Sequence, residues 1–129
     1  MTFWILAALL LYLVNIYIPA ALFLPAEGLV RHVGARDDLP PPSPLVGRAR
    51  RSLANLQENM PIFLGLALLA MIVPGVDMGR AVLGAQVFVL ARVVYIPMYL
   101  FGVPLLRSAA YMVGLVGCGL IAWAVIAAL

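Results

Sequence analysis

Arg48-Ala49-Arg50-Arg51-Ser52-Leu53-Ala54-Asn55-Leu56-Gln57-Glu58-Asn59-Met60-Pro61 runs directly into an apolar stretch that lasts to Val73. At about 100° per residue, Arg48, Arg51, Asn55 and Glu58 fall within roughly a quarter of a helix circumference. The first turns of this helix therefore carry a polar stripe, and the apolar run behind them carries the helix into lipid. An ionisable group at membrane depth costs about 2.5–3.5 kcal/mol on insertion scales, so it turns toward protein, water or a ligand. The stripe is thus both the mark of a membrane helix and the best lead to a functional site.

The rest of the chain agrees with a membrane setting. Of 129 residues, 66% are hydrophobic and 10% charged, against about 25% charged in an ordinary soluble domain. A span needs about 20 apolar residues. Four segments reach that length, at about residues 2–24, 48–73, 78–101 and 105–129, the second only if its polar first turns sit at the interface. The prediction is one domain over residues 1–129, an all-α integral membrane bundle of four helices. The first segment lacks a basic leader and its apolar run is too long for the core of a signal peptide, so it reads as a retained helix.

The single long loop, residues 25–47, holds Arg31, His32, Arg36, the Asp37-Asp38 pair and Pro40-Pro41-Pro42-Ser43-Pro44, a run expected to be extended and stiff. His32 and the aspartates read as solvated loop residues. Pro74-Gly75-Val76-Asp77 and Gly102-Val103-Pro104 read as tight turns.

All eight cations are Arg. Six of them (31, 36, 48, 50, 51 and 107) fall on the side of loops one and three, and Arg80 falls near the opposite turn. The positive-inside rule puts loops one and three, and the polar stripe, on the cytoplasmic side, which for a bacterial chain means the cell inner membrane. So few arginines, placed beside membrane helices, argue against a nucleic-acid partner. Cys118 is alone, which excludes an internal disulfide and a cysteine-based metal site; no metal is expected. In the fourth segment Gly114, Gly117 and Gly119 have the spacing that lets helices approach closely.

Polar groups recur on the third and fourth segments. Arg92, Tyr95 and Tyr99 share a face, and Arg107-Ser108 opens the last segment with Tyr111 one turn on. Arg51, Tyr99 and Arg107 come out near one membrane surface. Glu58 lies seven residues below Arg51 and Arg92 seven below Tyr99, about 10 Å deeper in each case. The expectation is a Glu58–Arg92 ion pair, within or between subunits. The set as a whole suits a small zwitterion with carboxylates, such as a peptide: Arg forks match carboxylates and a lone Glu holds an ammonium. If the ligand carries a thiol, a neighbouring Arg or Ser would favour its reactive thiolate.

These stretches resemble the MAPEG family, the membrane-associated proteins of eicosanoid and glutathione metabolism, over most of the chain. The likeness rests on Arg51-x-x-x-Asn55-x-x-Glu58 followed by Pro61 and Phe63, on Arg92-x-x-Tyr95-x-x-x-Tyr99, and on Arg107-Ser108-x-x-Tyr111. It implies a homotrimer of four-helix subunits with glutathione bound between neighbours near the cytosolic face. It implies glutathione contacts at Arg51, Asn55, Glu58, Tyr99 and Tyr111, with Arg92 and Tyr95 in the same motif. It implies that Arg107, with Ser108 as a second donor, stabilises the thiolate. Ala54 stands where eicosanoid-metabolising members often carry another Arg, Tyr95 where one branch has His, and Pro25-Ala26-Glu27 where a basic contact is usual.

Three functions follow. The first is a glutathione-dependent transferase or peroxidase whose lipophilic substrate arrives from the membrane lipid. The second is a non-catalytic membrane protein that keeps the polar set as an ion-paired trimer core. The third is a small transporter. The small multidrug exporters place a carboxylate inside their first helix, whereas here Asn15 is the only strongly polar residue before Glu27.

Overall fold

The structure, a computed structural model, describes residues 1–35 and 41–129. Arg36, the Asp37-Asp38 pair and Pro40 lie outside the described residues, as do the side chains of Glu27 and Arg31. The described residues form four long helices, α1 (Thr2–Glu27), α3 (Pro44–Ile72), α4 (Met78–Leu100) and α5 (Pro104–Ile126), with a short α2 (Leu29–Val33) after the first. The four long helices are each long and apolar enough to cross a membrane. The protein is an integral membrane four-helix bundle, as the composition predicts.

Local chemistry places the helix ends and corrects two boundaries. α1 continues through Pro25 to Glu27 and stops at Gly28, whose φ of 82° suits glycine and whose N–H closes the last turn on Leu24 O at 2.9 Å. α3 begins at Pro44, four residues earlier than expected. The end of the proline run is a start signal: Ser43 is the cap, its Oγ accepting from Val46 N at 3.3 Å, and Pro44 fills the first helical position. Asp77 caps α4 by accepting from Arg80 N at 3.0 Å, and its carboxylate lies 3.5 Å from the Arg80 guanidinium. Pro104 opens α5. Both expected tight turns are present, with Gly75 and Gly102 at positive φ.

α4 and α5 make the closest pair, at a crossing built on glycine. A Cβ placed on Gly84 would sit 2.6 Å from the Gly117 carbonyl oxygen, and one on Gly117 would sit 2.6 Å from both Gly84 O and Phe88 N. The backbones touch, as the small-residue spacing on α5 predicts. Gly119, in contrast, meets open space. α3 lies against both, with Phe63 and Phe88 stacked at 4.3 Å between centroids. α1 packs on α3 and α4 and makes no comparable contact with α5. Only 11% of its apolar window is buried within the chain, so α1 presents most of its surface to lipid or to another subunit.

Candidate functional site

Two cross-links set the level of α3 against α4. Arg48 Nε donates to the Leu100 carbonyl at 2.8 Å, and Arg92 NH1 donates to Asn55 Oδ1 at 2.7 Å. They are seven residues apart on α3 and eight on α4, which is about 10–12 Å along each axis. Arg48 thus closes a carbonyl that the end of α4 leaves free, at the helix pole that favours a cation. The sequence reading levelled Arg51 with Tyr99. The observed register is shifted by about one turn, because Arg48 is the residue that meets the end of α4. The Glu58–Arg92 pair therefore does not form within the chain: Asn55 takes Arg92, and Glu58 lies exposed on α3.

Arg92 is 1% exposed. Its guanidinium carbon lies 5.2 Å from the Phe88 centroid and 5.3 Å from those of Tyr95 and Tyr111, within the range of cation–π attraction. Gly114 makes room for it: a Cβ there would lie 3.4 Å from Nε. Nε and NH2 have no hydrogen-bond partner. Arg92 therefore stands behind the site rather than in it.

In front of Arg92 lies a cleft of about 210 Å³, lined by Asn55, Tyr95, Arg107, Ser108, Tyr111 and Met112. Helices α3, α4 and α5 each contribute a wall. Arg107 lies over the Tyr99 ring at 4.6 Å, and Tyr99 meets Tyr95 at 5.4 Å between centroids. The Ser108 hydroxyl donates back to Pro104 O at 2.9 Å. Its hydrogen is thus engaged within α5, and Arg107 is the stronger donor at this place. The lining offers an amide, three hydroxyls and a guanidinium, and no carboxylate. Such a wall suits an anionic ligand.

Of the nine residues picked from sequence, five line this one cleft and two more stand directly behind or beneath it, Arg92 and Tyr99. Arg51 and Glu58 do not join them; both are exposed on α3, and Arg51 NH1 lies 3.4 Å from where a Cβ on Gly47 would be. Sequence reasoning missed Phe88 under Arg92, one turn before it, and Met112 on the cleft wall. It also missed a Gln57 Nε2 to Tyr12 hydroxyl bond at 3.3 Å that ties α3 to α1. His32 is not a plain loop residue: it sits on α2, 5.8 Å from the Phe23 ring, beside a cavity of about 230 Å³. Among the described residues no cluster of His, Cys, Asp or Glu has the geometry of a metal site.

A family model described as the MAPEG family matches residues 1–127. The chain belongs to the MAPEG family. Comparison with curated proteins finds no significant match. As a MAPEG protein it is a multi-pass membrane protein of a glutathione-related family, and the cleft lies where α3, α4 and α5 meet.

Proposed function

We propose that this MAPEG protein is a membrane-bound, glutathione-dependent transferase or peroxidase acting on lipophilic electrophiles. The observation that carries the reading is the cleft itself: a donor-rich pocket walled by Asn55, Tyr95, Arg107, Ser108 and Tyr111, with Tyr99 stacked under Arg107. The donor set fits the glutathione tripeptide, whose carboxylates match the donors of Asn55, Tyr95 and Tyr111 and the positive charge of Arg92 behind them. Bound glutathione would supply the nucleophilic sulfur. Arg107 would hold that sulfur as the thiolate by its full positive charge, with Ser108 as a second contact once its hydroxyl turns from Pro104. Arg107 also sits in the first turn of α5, where the helix pole favours an anion by typically 0.3–1 kcal/mol. Apolar surfaces of α4 and α5 beside the cleft would admit a substrate dissolved in lipid.

The unit of function in this reading is a homotrimer, with the cleft on the cytoplasmic side given by the arginine asymmetry. The support is Glu58 and Gln57, polar and exposed on a spanning helix; such groups need cover from protein or ligand. There Glu58 and Arg51 would reach a ligand held between neighbours. A non-catalytic role finds support in the one Arg92–Asn55 bond that already ties α3 to α4.

The deciding experiment is calorimetric titration of glutathione into detergent-purified protein, followed by conjugation of a chromogenic aryl halide and reduction of a lipid hydroperoxide. Saturable binding with thiol-dependent turnover is the expected result. Binding without turnover of either substrate would favour the non-catalytic role, and no binding at all would end the proposal.

A further inference from the structure

The orientation of the Asn55 side chain in the cleft is chemically forced. A guanidinium has donors and no acceptor. The atom of Asn55 that lies 2.7 Å from Arg92 NH1 is therefore its carbonyl oxygen, Oδ1. The amide nitrogen, Nδ2, is left without a protein acceptor among the described residues, on a side chain that lines the cleft. Asn59 is engaged elsewhere, its Nδ2 donating to the Asn55 backbone carbonyl at 2.7 Å within α3, so it leaves the Asn55 carboxamide to Arg92.

Arg92 is itself held from every side. It is 1% exposed, has three rings around it, and has Gly114 rather than a larger residue above Nε. Two of those rings, Tyr95 and Tyr111, line the cleft as Asn55 does. Its Nε and NH2 are unpaired, and no carboxylate lines the cleft in front of it. A buried charge with one hydrogen bond is poorly compensated, and that charge lies directly behind a cleft that offers donors.

We infer that Arg92 is a positioning residue for the bound anion: it fixes the Asn55 carboxamide with Oδ1 inward, so that Nδ2 is presented to the cleft as a donor, and its own uncompensated charge makes the cleft select an anionic ligand. Arg92 does this without touching the ligand. The ligand identity rests on the proposed function; the hold on Asn55 does not.

The test uses full-length protein in detergent and three variants. Asn55→Asp keeps an oxygen for Arg92 but removes the donor. Arg92→Gln removes the charge and, being able to donate or accept, frees Asn55 to flip. Arg92→Lys keeps charge and donors. Glutathione and its diethyl ester, with carboxylates capped, are titrated into each. Asn55→Asp is expected to melt at or above the wild-type temperature yet bind glutathione roughly tenfold or more weakly, since a hydrogen bond to a charged group is lost. Arg92→Gln should show a similar loss for glutathione and a smaller one for the ester, and Arg92→Lys should recover part of it. A structural role alone predicts changes in melting temperature that are blind to ligand charge. Wild-type affinity in both Asn55→Asp and Arg92→Gln would overturn the inference.

A ligand-free reading separates this from failure of the proposed function. With ¹⁵N-asparagine labelling, the Asn55 carboxamide, assigned by its disappearance in Asn55→Asp, should give two sharp and distinct proton resonances. In Arg92→Gln they should broaden or shift. If wild-type protein binds no glutathione, that spectrum still decides the point, and an unchanged Asn55 signal in Arg92→Gln would reject the hold.

Discussion

At the scale of the residue, the site turns on how its cations are answered, the buried Arg92 and the half-buried Arg48 and Arg107. Arg92 is answered by one amide and three rings, and Arg48 by a helix-end carbonyl. Arg107 is answered by the face of Tyr99 alone among these contacts, which leaves its donors for a ligand. Replacing Arg107 with Leu should therefore remove a charge near the bound thiol and little packing. If Arg107 stabilises the thiolate, the apparent thiol pKa in the pH–rate profile should rise by about one unit or more, each unit being worth 1.36 kcal/mol. The rate at pH 7 should fall accordingly, while Ser108→Ala should cost less because its hydrogen is already given to Pro104. A wild-type profile in Arg107→Leu would leave Arg107 without a catalytic part.

At the scale of the element, the α4–α5 crossing and the α3 start each depend on one small group. Gly117→Ala forces a methyl into the Gly84 and Phe88 backbone, which cannot yield as a flexible side chain would. Overpacking of this kind costs about 1–3 kcal/mol or more, so the melting temperature in detergent should drop well below wild type. Gly119→Ala, two residues on and facing open space, should melt as wild type does. Equal melting of the two alanine variants would mean the helices are not in backbone contact. Ser43→Ala removes the α3 cap and should cost about 0.5–2 kcal/mol. The loss should appear as faster amide hydrogen exchange at Val46 and Gly47, the two donors that bond to Ser43; unchanged exchange there would discount the cap.

At the scale of the whole molecule, α1 and the outer face of α3 are left largely uncovered within one chain. Both present large surfaces, and Glu58 lies on one of them. Native mass spectrometry from mild detergent should show a trimer, and Glu58→Gln should leave the melting of dispersed single subunits unchanged while lowering that of the assembly. A stable monomer, or an equal effect on both forms, would count against cover by neighbouring copies. A reporter fused after Leu129 should lie on the side opposite the long loop; a cytoplasmic reporter would reverse the orientation drawn from the arginines.

Sequence alone determined the membrane setting, the number of spans and most of the cleft. Those features are local or periodic: apolar length sets a span, and i, i+3 and i, i+4 spacing puts Arg92 with Tyr95 and Tyr99, and Arg107 with Tyr111, on shared faces before any packing occurs. The glycine spacing on α5 likewise announced a close approach, though only the partner backbone of Gly84 shows why Gly117 is needed and Gly119 is not. The pairing of Arg92 was decided by tertiary structure. Depth counted from helix ends is uncertain by a turn, and a turn is the difference between Glu58 and Asn55. The Arg48 bond to Leu100 O fixes that turn, and it joins residues 52 apart in the chain, a distance over which no periodicity carries information.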